Sequence, residues 1–261
     1  GIEGIKELLV EEYDEDVDFL NDIGLVHDGV EFGAYMSKES LAQQGSYGIT
    51  NKSPQHDQCW MISMDVIKDN IPTIENKAQA ITIFPIFRTM FGIFGLCRLP
   101  WNNIIPLHIK DSPKHEADII KQHITDYCLL YEAVTGNKTS FAEMMRTSDR
   151  ISTFQRLFNK RMGKGTREFD MIPYRAMGPV TSTEYLSKQE LYDAQIRNEI
   201  GVNPDNMSVE KKIDTLREHR YVLYNKLIDA TYKSRDWSKN GVPTKQKLKN
   251  MGLDKTEYES L

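Results

Sequence analysis

Apolar residues recur at helical spacing along most of the chain and alternate in few places. Ile5, Leu8 and Leu9, then Val17, Phe19 and Leu20, predict two short helices between Ile2 and Asn21, separated by acidic residues. Gly24 to Tyr35, with three glycines and brief alternation, predicts a loop or a short strand. Ser37 is placed to cap a short helix through Gln44, with Glu39 suiting its first turn. Gly45 to Gln58 has the glycines, Asn51, Ser53 and Pro54 of a loop. Helical spacing returns over Asp57 to Lys68 at Trp60, Met61, Met64 and Ile67, and Pro72 closes that run.

Thr73 opens the longest apolar helix, and Ile83 to Trp101 is the most apolar stretch of the chain. It carries Gly92 and Gly95, then Leu96, the thiol Cys97 and the basic Arg98, before a Leu-Pro-Trp stop. Glycines let backbone approach something bulky, and a thiol on such a turn can ligate a metal. From the residues alone the simpler reading is a buried helix ended by Gly95 with a core cysteine, since free cysteine is among the most buried residue types. Ser112-Pro113 predicts the start of a helix that Gly136 ends after Thr135. Ser140 and Glu143 form a capping-box pattern before Phe141, Met144, Met145, Ile151, Phe154, Leu157, Phe158 and Met162, which read as core. Gly163 to Pro179 is a loop, Lys188 to Glu199 a helix or pair of turns, and Ser208 to Tyr232 a strong helix. A turn at Asn240-Gly241 precedes a last helix from Thr244 to Gly252. The fold class is mainly α.

Composition narrows the options. The 261 residues are 39% hydrophobic and 27% charged, which fits a globular protein rather than a disordered one. A formal charge of -5 leaves no basic excess for general nucleic-acid binding. No run predicts a membrane span, because Pro85, Arg88 and the glycines interrupt the best candidate. Three widely spaced cysteines, Cys59, Cys97 and Cys128, include no CxxC pair, so an autonomous metal site is not predicted. Their sparse count suggests a reducing, cytoplasmic setting. The chain begins at Gly1 without Met, the expectation being a fragment or a processed piece.

Among titratable residues His56 stands out. It lies in a loop beside Asp57, near Cys59 and Trp60, and could give or take a proton near neutral pH. It fits a surface or capping histidine equally well. Cys59, three residues on, has a spacing that could bind metal but reads more simply as core, as does Cys128. His108, His115, His123 and His219 read as surface residues, and His27 has no evident partner. Lys160, Arg161, Lys164 and Arg167 form a basic cluster, read as a solvated face.

Six stretches in order, NKSPQHDQCW, FPIFRTMFGIFGLCRLPW, YEAVTG, DRISTFQRLFNKRMG, REFDMIPYR and RDWSKNGVPTKQKLKNMGLD, resemble the C-terminal part of the tungsten-containing aldehyde:ferredoxin oxidoreductase family. Within it, EFGAYMSKESLAQQGSYGITNKSPQHDQCW is most similar to the catalytic subunit of class II benzoyl-CoA reductases. The resemblance implies C-terminal helical domains without the family's β domain. Residues 1–72 would end the middle helical region and carry an active-site loop, and residues 73–261 would form the C-terminal domain with a cofactor-facing turn. It further implies a tungsten bis-pyranopterin and a [4Fe-4S] cluster, each needing residues outside this chain. Cys97 would be a cluster ligand, Gly92, Gly95, Leu96 and Arg98 would flank the cofactor, and His56 would be the active-site histidine. Where aldehyde-oxidising members carry an aspartate on the pterin loop, this chain has Gly92.

The activity so implied is reduction of an aryl-CoA thioester, benzoyl-CoA, to a cyclic dienoyl-CoA with low-potential electrons. Aldehyde oxidation with ferredoxin is the alternative within the family, and a cofactor-free helical interaction module the alternative outside it. The implied partners are the missing N-terminal half, in the same subunit or a separate chain, and a ferredoxin-like electron-transfer subunit.

Overall fold

The computed structural model describes residues 1–27, 29–33, 38–52, 54–95 and 125–254. They form α1 (Ile2–Tyr13), α2 (Val17–Ile23), a hairpin of β1 (Val26–His27) and β2 (Val30–Glu31), α3 (Leu41–Gly48), α4 (Ile74–Ile93), α5 (125–135), α6 (Phe141–Arg161), α7 (Ser182–Leu186), α8 (Gln189–Gln195), α9 (Val209–Ser234) and α10 (Lys245–Met251). The class is mainly α. The hairpin pairs Val26 with Glu31 and His27 with Val30, antiparallel.

The helix ends follow side-chain chemistry. Thr73, Ser140, Ser208 and Thr244 each accept from a backbone N–H in the first turn, and Ser140 with Glu143 closes a complete capping box. Gly136 and Gly252 take positive φ just past their helices. The core lies where α9 crosses α4 with α3 against both. Tyr47, Cys59, Met61, Ile81, Tyr224, Leu227 and Ile228 fill it. A second cluster, Met90, Phe91, Tyr127 and Met144, fastens the end of α4 to α5 and α6.

Three expectations are corrected. The cap of α3 is Ser40, and the helix runs through Gly45 and Gly48 instead of ending at Gln44; Ser37 lies outside the described residues. The glycines there serve packing. A Cβ on Gly45 would stand 2.6 Å from Leu227 Cδ2, and one on Gly48 would fall on the Tyr224 hydroxyl and the Asp170 carbonyl.

Asp57 to Lys68 is not an α-helix either. Residues 56–58 form a turn, and only Ser63–Ile67 coils, as a wide π-turn. The Gln43 carboxamide donates to Cys59 O (2.8 Å) and accepts from Met61 N (2.7 Å), so a side chain takes backbone groups a helix would have used.

Finally, Phe154, Phe158 and Met162 of the α6 region are 38%, 50% and 63% exposed, while Ser148, Ser152, Thr153 and Arg156 are buried. The inward face of α6 combines Met144 and Leu157, core as expected, with polar side chains, of which Ser152 and Arg156 bond to neighbouring loops. The helix start expected at Ser112-Pro113 lies outside the described residues.

Candidate functional site

The loop after α3 is held at both ends. Asn51 Nδ2 donates to Ser152 O (2.8 Å) and Ser152 Oγ (3.1 Å), and Asn159 Nδ2 returns a bond to Asn51 O (2.7 Å), so the loop sits on α6. Gln43 grips its far end at Cys59 and Met61. Between them Lys52 Nζ reaches Gln55 Oε1 (3.1 Å) and Asp57 Oδ2 (3.3 Å), and Gly33 N donates to Pro54 O (2.8 Å). His56 is half-buried, its ring edge-on to Trp60 with centroids 5.4 Å apart.

The last turn of α4 comes beside this loop. Phe94 caps the helix, and Gly95 takes φ +66 with open space where a side chain would stand. Such a turn leaves bare backbone for something to approach. A cleft of about 330 Å³ lies between the two segments, lined by Asn51, Lys52, Gln58, Thr89, Gly92, Ile93, Ile151 and Gln155.

The fold therefore brings Gly92 to the loop that carries His56, although His56 packs on Trp60 and is not among the cleft's lining residues. Gly95 follows at the exposed end of the turn. Leu96, Cys97 and Arg98 lie outside the described residues.

Other candidates resolve as structure. Cys59 is fully buried in the core, where desolvation pushes its thiol up to about 12, as the core reading expects. Burial also raises the Cys128 thiol. Among the described residues no group of three His, Cys, Asp or Glu side chains could hold a metal ion. His27, for which the sequence shows no evident partner, bonds through Nε2 to the Glu168 carbonyl (2.9 Å), which makes the ring nitrogen the donor. Arg167, from the basic cluster, pairs with Asp229 (2.5 Å) and Asn225 (2.9 Å).

Sequence reasoning missed two groups. Arg156 and Asp170 form a buried two-pronged ion pair (2.7 and 2.5 Å), to which Tyr232 donates (2.5 Å). Their presence in DRISTFQRLF and REFDMIPYR was the available signal. Gln58 and Gln155 of the cleft were also overlooked, since a lone glutamine carries no signal of its own. A second cleft, of about 290 Å³, lies by Lys38, Glu39, Glu184, Lys188 and Tyr192. Lys38 is paired there with Glu184, and Glu39 with Arg220. Among the described residues no helix is long and apolar enough to cross a membrane.

The helical scaffold brings a bare glycine turn and a pinned loop to one cleft. The family description for aldehyde ferredoxin oxidoreductase, domains 2 & 3, matches residues 3–253, and the chain belongs to that oxidoreductase family. No curated protein matches it.

Proposed function

We propose that this chain forms one wall of a tungsten bis-pyranopterin site in an enzyme that reduces an aryl-CoA thioester, of the benzoyl-CoA type, with low-potential electrons. The observation that carries the reading is the meeting of Gly92 and the His56 loop at one cleft. The cleft also fits a polar occupant. Lys52 and Gln155 line it with exposed polar side chains.

Gly92 and Gly95 would give a flat ring close backbone approach. Bound there, the tungsten cofactor would supply low-potential electron transfer to the substrate. The chain's own contribution is proton handling and positioning. His56 Nδ1 or Nε2 would hold the proton delivered to the substrate, and the edge-on contact with Trp60 fixes the plane of its ring. Gln43 and Asn51 hold the loop so that this geometry is set before substrate arrives. Cys97 belongs to the reading as a ligand of an iron-sulfur cluster, on sequence resemblance alone, with Leu96 and Arg98 beside it. The electrons would come from a ferredoxin-like partner.

The test is made on the complete assembly, purified without oxygen. Tungsten, iron and pterin should be present, and aryl-CoA thioesters should be reduced while a panel of aldehydes is not oxidised. Aldehyde oxidation instead would transfer the reading to the alternative reaction, and an assembly free of metal and pterin would reject both. His56→Gln should lower turnover by about 10²–10⁴-fold with metal content unchanged. Cys97→Ser should cost the iron-sulfur cluster, and an intact cluster would remove Cys97 from the ligand set.

A further inference from the structure

The two faces of α6 differ in kind. Met144, Ser148, Ser152, Thr153, Arg156 and Leu157 are buried against the rest of the chain. On the other side Arg150, Phe154, Phe158, Arg161 and Met162 are all exposed. At about 100° per residue these five fall within roughly 120° of one another, in a seam roughly 18 Å long. Ile151 and Gln155, which line the cleft beside Gly92, lie on that same side of the helix. Single exposed apolar side chains need no explanation, but a contiguous row rimmed by charge marks an interaction surface.

Charge sets the seam apart from the rest of the chain. From Met144 to Lys164 the basic residues are Arg146, Arg150, Arg156, Lys160, Arg161 and Lys164, against the single carboxylate of Asp149, in a chain of net charge -5. Asp149 is already paired with Lys247, and Arg156 with Asp170. Arg146 donates to Asn250 O (3.2 Å), and Lys164 sits over the Phe169 ring. Arg150, Lys160 and Arg161 are exposed and make no ion pair among the described residues. Three cations without counter-charges thus surround Phe154 and Phe158.

We infer that this seam docks an acidic electron-carrier protein, whose carboxylates meet Arg150, Lys160 and Arg161 and whose apolar centre meets Phe154 and Phe158. The inference rests on the reading in the preceding subsection, which requires electrons from a partner, and adds where on the chain that partner sits. Arginine and aromatic side chains are enriched at protein interfaces, and electron-transfer encounters need only a small contact. Opposite charges at the rim of such a contact speed encounter and fix orientation, chiefly at low salt. The seam binds the carrier and takes no part in the chemistry.

Binding is measured first, on the complete assembly purified without oxygen. The probe is a small ferredoxin of net negative charge, labelled and titrated at low and at high salt. Arg150→Glu and Arg161→Glu should each weaken binding about threefold to tenfold at low salt and less at high salt. Phe158→Ala should weaken it about threefold to tenfold at both. Lys211→Glu makes the same charge change at an exposed site on α9 and should bind as wild type does. Turnover with the ferredoxin as donor should fall in parallel, whereas turnover with reduced methyl viologen, a dye that needs no docking surface, should not. Melting temperatures check the fold of each variant.

If Arg150→Glu and Arg161→Glu bind the ferredoxin no worse than Lys211→Glu does, the docking assignment is overturned alone. Equal loss of turnover with methyl viologen overturns it too, as does wild type that ignores the ferredoxin and binds phosphatidylserine vesicles through Arg161. Wild type that turns over with neither donor overturns the preceding reading and the electron-carrier assignment with it.

Discussion

Arg235 supplies the hydrogen bond that Pro85 removes from its own helix. Pro85 lies inside α4 and has no N–H, so the carbonyl of Ile81, four residues earlier, loses its helical donor. Arg235 Nη2 donates to that carbonyl at 3.0 Å and approaches Thr82 O at 3.5 Å. Its guanidinium is buried and lies 5.0 Å from the Trp237 ring centroid. Burial pushes it down to about 10, which leaves it charged at neutral pH. The bond thus keeps α4 continuous on its way to the Gly92 turn.

Arg235→Met should therefore destabilise the chain by about 1–3 kcal/mol, the cost of leaving a buried carbonyl unpaired. In a Pro85→Ala background the helix regains its own donor, and the same substitution should cost roughly 1 kcal/mol less. A double-mutant cycle from urea unfolding measures that coupling. Strict additivity would show that Arg235 acts only through Trp237 and its other neighbours.

Asp170 joins α6 to α9. It receives Arg156 on both oxygens (2.7 and 2.5 Å) and the Tyr232 hydroxyl at 2.5 Å, while its carbonyl accepts from Tyr224. Asp170→Asn leaves the buried Arg156 without its counter-charge and should cost about 3–5 kcal/mol. Tyr232→Phe removes one bond to a charged group, and its cost should fall nearer 1.5–3 kcal/mol. Chemical denaturation ranks the two, and an equal loss would show that the hydroxyl, not the ion pair, holds the junction.

The caps of α6, α9 and α10 were legible because they are local. Ser140 with Glu143, Ser208, and Thr244 with Gly252 act within four residues or one helix. The mainly helical class followed from the same short-range periodicity. The path of α3 was not legible, because Gly45 and Gly48 signal a loop locally while their function is to admit Leu227 and Tyr224 from a helix far along the chain. Phe158 misled in the opposite direction, since its helical spacing marks core while the buried side of α6 takes Met144 and Leu157 together with four polar side chains. Of the site, the Gly92 turn and the His56 loop were readable as stretches. Their meeting depends on Asn51 reaching Ser152, a contact across 101 residues that no window reveals.

Gly48 tests the packing account of α3. A methyl group there meets the Tyr224 hydroxyl, itself bonded to the Asp170 carbonyl, so neither can withdraw without breaking that bond. Gly48→Ala should destabilise by about 1–3 kcal/mol despite the better helix propensity of alanine. Pairing it with Tyr224→Phe should recover part of the loss. A stabilised Gly48→Ala chain in thermal melts would show that α3 does not pack this tightly on α9.

Asp193 makes stability depend on pH. Its burial would raise the carboxyl, but Tyr185 (2.7 Å), Lys212 (2.9 Å) and Gln189 (3.2 Å) together hold it below the usual carboxylate range. A carboxyl depressed in the folded chain binds its proton more readily when unfolded. Its contribution is therefore present above the unfolded value near 4 and is lost as pH falls through the folded one. Asp193→Asn should be less stable than the native chain at pH 7, and the gap should narrow steadily between about pH 5 and pH 3. Urea midpoints for both chains across that range measure it, with salt held constant because Asp193 is partly exposed. A gap that stays constant with pH would mean that Asp193 acts through neutral hydrogen bonding alone, and that the charge of Lys212 contributes nothing at this junction of α8 and α9.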